Sequence, residues 1–286
     1  MAWRQPIGDC RVNEKTPPWL RAEPGKATLE GVNWGGLKTL YIKEVRRFFK
    51  VQMQTVWAPA ITTLLYLVIF TVALGRSGRQ VMGVPFADFI APGLIVMAML
   101  QNAFANSSFS LLVGKMQGTI VDYLMPPLST GELIAGLVGA AVTRAFLVGA
   151  AVWLVMSVYP GVHVGLRHPL AALWFGLMGA LMLSFLGLIT SIWADKFDHA
   201  AAVTNFVVAP LSLLSGTFYS VEQLAPAFRT ASHANPFFYV ISGFRFGFLG
   251  EADSPVLVGA AALLMVNLML WATCYSLLRS GWKIKN

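Results

Sequence analysis

Charge is scarce in this sequence. Only 12% of its 286 residues are Asp, Glu, Lys or Arg, about half the roughly 25% of an average soluble domain. That is too little to cover a water-facing surface of this size, which excludes an ordinary soluble protein. Disorder is excluded by the 56% of hydrophobic residues and the mean hydropathy of +0.64, since disordered chains are poor in both. Cysteine is nearly missing: Cys10 lies in a polar stretch and Cys274 in an apolar one, so neither a disulfide framework nor a metal cluster is expected. The four histidines, His163, His168, His199 and His233, have no cysteine or carboxylate set around them, and no metal ligands are assigned. A GxxxxGK[ST] phosphate loop does not occur. Gly25-Lys26 and Gly114-Lys115 lack the upstream glycine and the following Ser or Thr. HExxH and GxSxG are missing as well. No catalytic residue is therefore assigned, and the chain is not expected to be an enzyme.

What is present is length and hydrophobicity in runs. Six segments can each cross roughly 30 Å of hydrocarbon at about 20 residues apiece: 56–74, 89–113, 133–159, 170–194, 200–219 and 256–278. The expected fold is an all-α integral membrane protein. Residues 34–54 precede the first span. Trp34, Leu37, Tyr41, Val45 and Phe48 fall on one helical face there, with Lys43, Arg46, Arg47 and Lys50 opposite. This suits an amphipathic helix lying in the membrane interface. Residues 1–33, polar and proline-containing, have no apolar core of a signal peptide and read as a flexible cytoplasmic tail.

The net charge of +8 bears on topology rather than on nucleic acid, for which no binding is expected. An even number of spans puts both termini on one side. Fifteen of the 21 Lys and Arg then share that side, five lie opposite (Arg76, Arg79, Arg167, Arg229 and Arg245), and Arg144 falls within a span. By the positive-inside rule both termini are cytoplasmic.

Three connections are more than simple turns, the third being the short charged loop 194–200, where Asp195, Lys196 and Asp198 read as solvated loop residues. In the first inner loop Met116, Ile120, Val121 and Leu124 are apolar at helical spacing, and Pro126-Pro127 stops the helix. Ser129 or Thr130 can cap the next helix, with Glu132 in its first turn. The outer segment after span five is divided by Pro226 and Pro236. Its aromatic second part is short for a span and reads as a re-entrant or interfacial element. Arg144 lies about 16 Å into span three at 1.5 Å per residue. A charge at that depth faces the bundle interior, a partner or a wet cavity.

These features in order resemble the ABC-2 type transporter permeases, closest to the bacterial inner-membrane branch of nodulation-factor, polysaccharide and drug exporters. The resemblance rests on Gly-Thr-Ile-Val-Asp-Tyr-Leu-x-x-Pro-Leu-Ser over 118–129, Ser-Gly-Thr-Phe-Tyr-Ser over 215–220, Leu-Ala-Pro ending at Pro226, and Asn-Pro-Phe-Phe-Tyr over 235–239 before Gly243-Phe-Arg245. It covers about residue 34 to the C-terminus. It implies a half-transporter, paired with a second permease copy as a homodimer and surrounded by membrane lipids. It implies a separate ATP-binding-cassette ATPase subunit that carries ATP and Mg, with no cofactor on this chain. Met116, Ile120, Val121, Asp122, Leu124 and Pro127 would form the coupling helix to that subunit. Pro226, Asn235, Pro236, Tyr239, Gly243 and Arg245 would belong to an extracellular re-entrant gate.

Two other classes compete. An ion- or proton-coupled secondary transporter or channel should show buried acidic groups or an inverted repeat, and neither is seen. A membrane lipid-modifying enzyme needs clustered carboxylates or histidines; His163, Arg167 and His168 are the only modest cluster.

Overall fold

The computed structural model describes residues 31–74, 80–81, 83–221 and 225–283. The tail expected at 1–33 falls outside these for all but its last residues, as do Arg76, Arg79 and Leu224.

Helices dominate. The chain opens with α1 (Trp34–Phe49), then a π-helical turn (Met53–Trp57) running into α2 (Ala58–Leu74). A two-residue hairpin, β1 (Gln80–Val81) and β2 (Val84–Pro85), pairs antiparallel with Val81 opposite Val84. There follow α3 (Phe86–Met116), α4 (Val121–Leu124), α5 (Thr130–Val158), α6 (Pro169–Trp193) and α7 (Phe197–Val203). A second π turn (Thr204–Val208) joins α7 to α8 (Ala209–Leu214), and α9 (Pro226–Ala234), α10 (Pro236–Leu249) and α11 (Val256–Ser280) complete the order. Six of these runs are long and apolar enough to cross a membrane: Met53–Ala73, Phe86–Met116, Thr130–Val158, Pro169–Trp193, Phe197–Leu214 and Val256–Ser280. The protein is an all-α membrane-spanning bundle.

Its centre is α3, packed between α5 and α6. From Phe89 and Ile90 to Leu111 and Leu112 most side chains on α3 are buried, with only the row of Met97, Gln101, Ala105 and Phe109 less covered. A helix buried on nearly every face needs such a central place. Glycines on the neighbouring helices let backbones approach, as small residues do in membranes. A Cβ on Gly136 of α5 would lie 2.7 Å from Leu40 of α1. One on Gly187 of α6 would lie 2.6 Å from the Phe104 carbonyl of α3. These glycines of α5 and α6 thus serve helix packing.

By contrast α2, α7–α8 and α11 are peripheral. Ile61, Leu65, Phe206, Leu257, Met265 and Leu268 stand exposed on the bundle surface, as hydrocarbon-facing side chains should.

The expected fifth span reached 219. The helix ends at Leu214, and Ser215–Tyr219 is turn, with Gly216 at φ +79°. Only the left-handed region serves there, which glycine enters without a Cβ penalty. The last carbonyls of α8 are taken by side chains instead: Ser232 Oγ donates to Leu214 O, and Asn235 Nδ2 to Leu211 O.

Candidate functional site

One end of the bundle gathers α1, α4, the α6–α7 connection and the end of α11. Lys115 Nζ donates to the Ile192 and Ala194 carbonyls. Lys283 Nζ meets Asp195 at 3.1 Å. That contact holds the Asp195 carboxyl below its ordinary range, chiefly through the Lys283 hydrogen bond. Asp195, expected as a solvated loop residue, thereby ties the chain end to the loop.

The loop between α3 and α5 is shorter in helix than its apolar spacing suggests. Met116 is the last residue of α3, and Gly118 at φ +72° breaks the run before α4 begins at Val121. A single helix through 116–124 is therefore not formed. Among the expected docking residues, Met116, Val121, Asp122, Leu124 and Pro127 are exposed and Ile120 is half-buried. Met125 is the most exposed large apolar side chain of the loop. The loop thus presents an uncovered apolar edge around one acid.

Tyr123 alone on α4 points inward. Its hydroxyl donates to Glu44 Oε1 at 3.0 Å. Lys43 Nζ sits 3.8 Å from the centre of its ring. Burial, and then the Glu44 carboxylate, push the phenol well above its ordinary value. Glu44 is 0% exposed. It also accepts from Ser110 Oγ at 2.9 Å and pairs with Arg47 at 2.9 Å. Arg47 Nη2 donates onward to Asn106 O and to Ser110 Oγ. The expected basic face of α1 is corrected here: Arg47 turns into the bundle, because the buried Glu44 carboxylate, one turn earlier on α1, needs a counter-charge. Trp34, placed on the apolar face, is exposed on the bundle surface.

The polar row on α3 runs Asn102, Asn106, Ser110 at four-residue spacing, one face of a helix. Near the middle of α3, Asn102 Oδ1 accepts from Arg144 Nη2 at 2.9 Å. Asn102 also lines a cavity of ≈ 620 Å³ between α2, α3 and α8, with Gln54, Thr62, Gln101, Tyr66 and Phe70. Neither Glu44 nor Asn102 stood out in sequence. The α3 polar row itself was a readable signal, three hydrogen-bonding residues on one face of an apolar helix.

At the opposite end the expected gate residues divide into two groups. Pro226 and Pro236 each open a helix, where a missing N–H costs nothing. Asn235 caps α10 by accepting from Phe237 N, and its Nδ2 donates to Ser215 Oγ at 2.8 Å. Tyr239 packs beside Gly259 of α11. Gly243 lies under the Phe175 ring of α6, with no room for a Cβ. Arg245 is 1% exposed. Its Nη1 meets Asp253 at 2.6 Å, its Nη2 donates to Gly216 O at 2.7 Å, and its guanidinium lies 3.9 Å from the Phe89 ring centre. Ser220 Oγ donates to the same Asp253. The 215–220 motif and the 235–245 motif, apart in sequence, are therefore one clamp: Ser215 on Asn235, Gly216 on Arg245.

The six spans thus carry this clamp at one end and a loop with an exposed apolar edge at the other, and comparison with known proteins decides the family. Residues 36–249 match the family described as ABC-2 type transporter. The chain belongs to the ABC-2 type transporter family. It is 36% identical over 254 residues to the inner membrane transport permease YadH of Escherichia coli (strain K12), covering 87% of this chain and 96% of that one. It is 25% identical over 263 residues to nodulation protein J of Rhizobium leguminosarum bv. viciae, covering 89% and 98%. As an ABC-2 family member the protein is a membrane-spanning transport subunit, and transporters of this class work with an ATP-binding subunit. No group of three His, Cys, Asp or Glu able to hold a metal occurs among the described residues.

Proposed function

We propose that this ABC-2 protein is the permease half of a bacterial inner-membrane exporter, moving a lipid, glycan or drug-like cargo outward. ATP and Mg would be handled by a separate ATP-binding-cassette subunit, and a second copy of the chain would complete the pore. The observation that carries this reading is the uncovered edge of Val121, Leu124 and Met125 on a helix held from inside by Tyr123. An apolar edge anchored this way suits a protein groove better than water. Similarity to a relative named inner membrane transport permease supports the compartment. Lys38, Lys43, Lys50, Lys115, Lys196 and Arg279 sit at or beside the α1–α4 end, which supports cytoplasmic termini.

The two expected gate groups then lie outside, and the clamp at Arg245 closes that face. The ≈ 620 Å³ cavity, apolar with amide groups at mid-depth, suits an amphipathic cargo. Nucleotide closing the partner subunits would push on α4 and rock the spans. This requires the two states of the permease to differ in their affinity for the loaded subunits.

The test is charge insertion. Leu124→Glu or Val121→Glu, both at exposed positions, should leave the chain folded and membrane-inserted. Each should abolish recovery of the ATP-binding subunit on mild-detergent purification. Undiminished recovery and transport would remove the docking assignment.

A further inference from the structure

A second, smaller cavity of ≈ 210 Å³ lies in the half of the bundle opposite α1 and α4, where it shares α10 with the clamp. Its floor is Met99 of α3 beneath Gly149 of α5; a Cβ on Gly149 would fall 2.7 Å from the Met99 Sδ. Phe244 and Phe248 of α10, ring centres 5.2 Å apart, form one wall. Ala150 and Trp153 of α5 form the other, and Leu173 the side rim. Ala150, Trp153 and Leu173 are exposed on the bundle surface. The groove is therefore open sideways, where the membrane-spanning helices meet hydrocarbon. It is also held open: the Trp153 indole N–H donates to Val164 O at 3.0 Å, fixing the α5–α6 connection beside it. From Trp153 to Phe146 it extends about 10 Å along α5 at 1.5 Å per residue, within the roughly 15 Å of one leaflet's hydrocarbon.

A cation stands at its mouth. Leu166 and Pro169 line the outer edge of the groove. Between them Arg167 and His168 donate their backbone N–H groups to the Gly247 carbonyl, at 3.0 and 2.8 Å. His168 stacks flat on Phe246, ring centres 4.8 Å apart. The Arg167 side chain is exposed beside Gly250 and pairs with no carboxylate among the described residues.

We infer that this groove seats an acyl chain of an anionic phospholipid, with the lipid phosphate held by Arg167. A preformed apolar slot opening into hydrocarbon takes an alkyl chain. An exposed guanidinium without a counter-charge at headgroup level selects an anionic head over a zwitterionic one. Cargo plays no part here: the slot is walled from the ≈ 620 Å³ cavity by α3, which lends Met99 to one and Asn102 to the other.

Native mass spectrometry of the full chain in detergent tests this. It would be titrated with phosphatidylglycerol, with phosphatidylcholine of the same chains, and with inorganic phosphate. The wild type should hold one phosphatidylglycerol at least tenfold more tightly than phosphatidylcholine. Ala150→Trp, which fills the slot from its exposed wall, should lose both lipids tenfold or more. Arg167→Ala, at an exposed loop position that leaves packing intact, should bring phosphatidylglycerol down to the phosphatidylcholine level. Equal affinity for the two lipids in the wild type would overturn the proposal. So would wild-type lipid retention in Ala150→Trp, or displacement of phosphatidylglycerol by inorganic phosphate at matched concentration.

Discussion

The Tyr123 hydroxyl lies 3.0 Å from the Glu44 carboxylate, across 79 residues of sequence. The bond fastens α4 to α1. Because Glu44 also holds Ser110 and Arg47, one buried carboxylate joins α4, α1 and the central helix α3. A push on α4 therefore bears on α3 without an intervening flexible segment.

Removing that carboxylate should be costly. Glu44→Ala leaves Arg47 half-buried without a counter-charge and takes the acceptor from Tyr123 and Ser110. A loss of about 3 kcal/mol is expected, near the lower end for breaking a buried ion pair. Glu44→Gln, which keeps an acceptor, should lose about 1 kcal/mol less. Chemical unfolding in detergent micelles gives both values.

Alkali should loosen the same junction. The Tyr123 phenol is raised above its ordinary value by burial and by Glu44. The folded chain thus favours the neutral phenol more than the unfolded chain does. Its stabilising share is complete below the ordinary phenol value of about 10. It drains away as pH climbs from there toward the raised folded value. Thermal midpoints between pH 9 and pH 11 should fall more steeply for the wild type than for Tyr123→Phe. Parallel curves would contradict the linkage.

Overpacking decides the outer helix. Gly243→Ala places a methyl on the Phe175 ring, and about 1–3 kcal/mol of destabilisation is expected. Phe175→Leu in the same chain should return part of it, since contacting residues couple in double-mutant cycles. Additive losses would show that α10 shifts rather than clashes.

The outer clamp should discriminate charge from shape. Asp253→Ala strands a fully buried guanidinium and should cost about 3–5 kcal/mol. Arg245→Lys keeps the charge but cannot reach Asp253 and Gly216 O together with a planar fork. It should be intermediate in stability and should slow transport more than it lowers the thermal midpoint. Transport assays beside melting curves separate the two.

Much of the molecule was legible in its residues. Ser129 was a candidate cap and forms a capping box with Glu132. Pro226 and Pro236 were read as dividing the outer segment, and each in fact opens a helix, because a fixed φ and a missing N–H are local properties. The inner helix was overextended at Met116 because its apolar spacing ran through Gly118, where the backbone turns left-handed. Arg144 was marked by depth alone, without its partner. Glu44 was passed over beside Lys43, Arg46 and Arg47, since charges on an interfacial helix read as solvated until a neighbouring helix covers one of them.

Hydrocarbon thickness is a length, and a run of apolar residues is read along the same axis. The chain alone therefore determined that helices cross a membrane and roughly where each one lies. Pairings across the bundle have no such linear trace. Asn102 with Arg144, Glu44 with Tyr123 and Arg245 with Asp253 and Gly216 arise only when α3 takes the central place and the outer helices close around it. Burial then leaves each polar group with the few partners in reach, and the tertiary structure alone decides which those are.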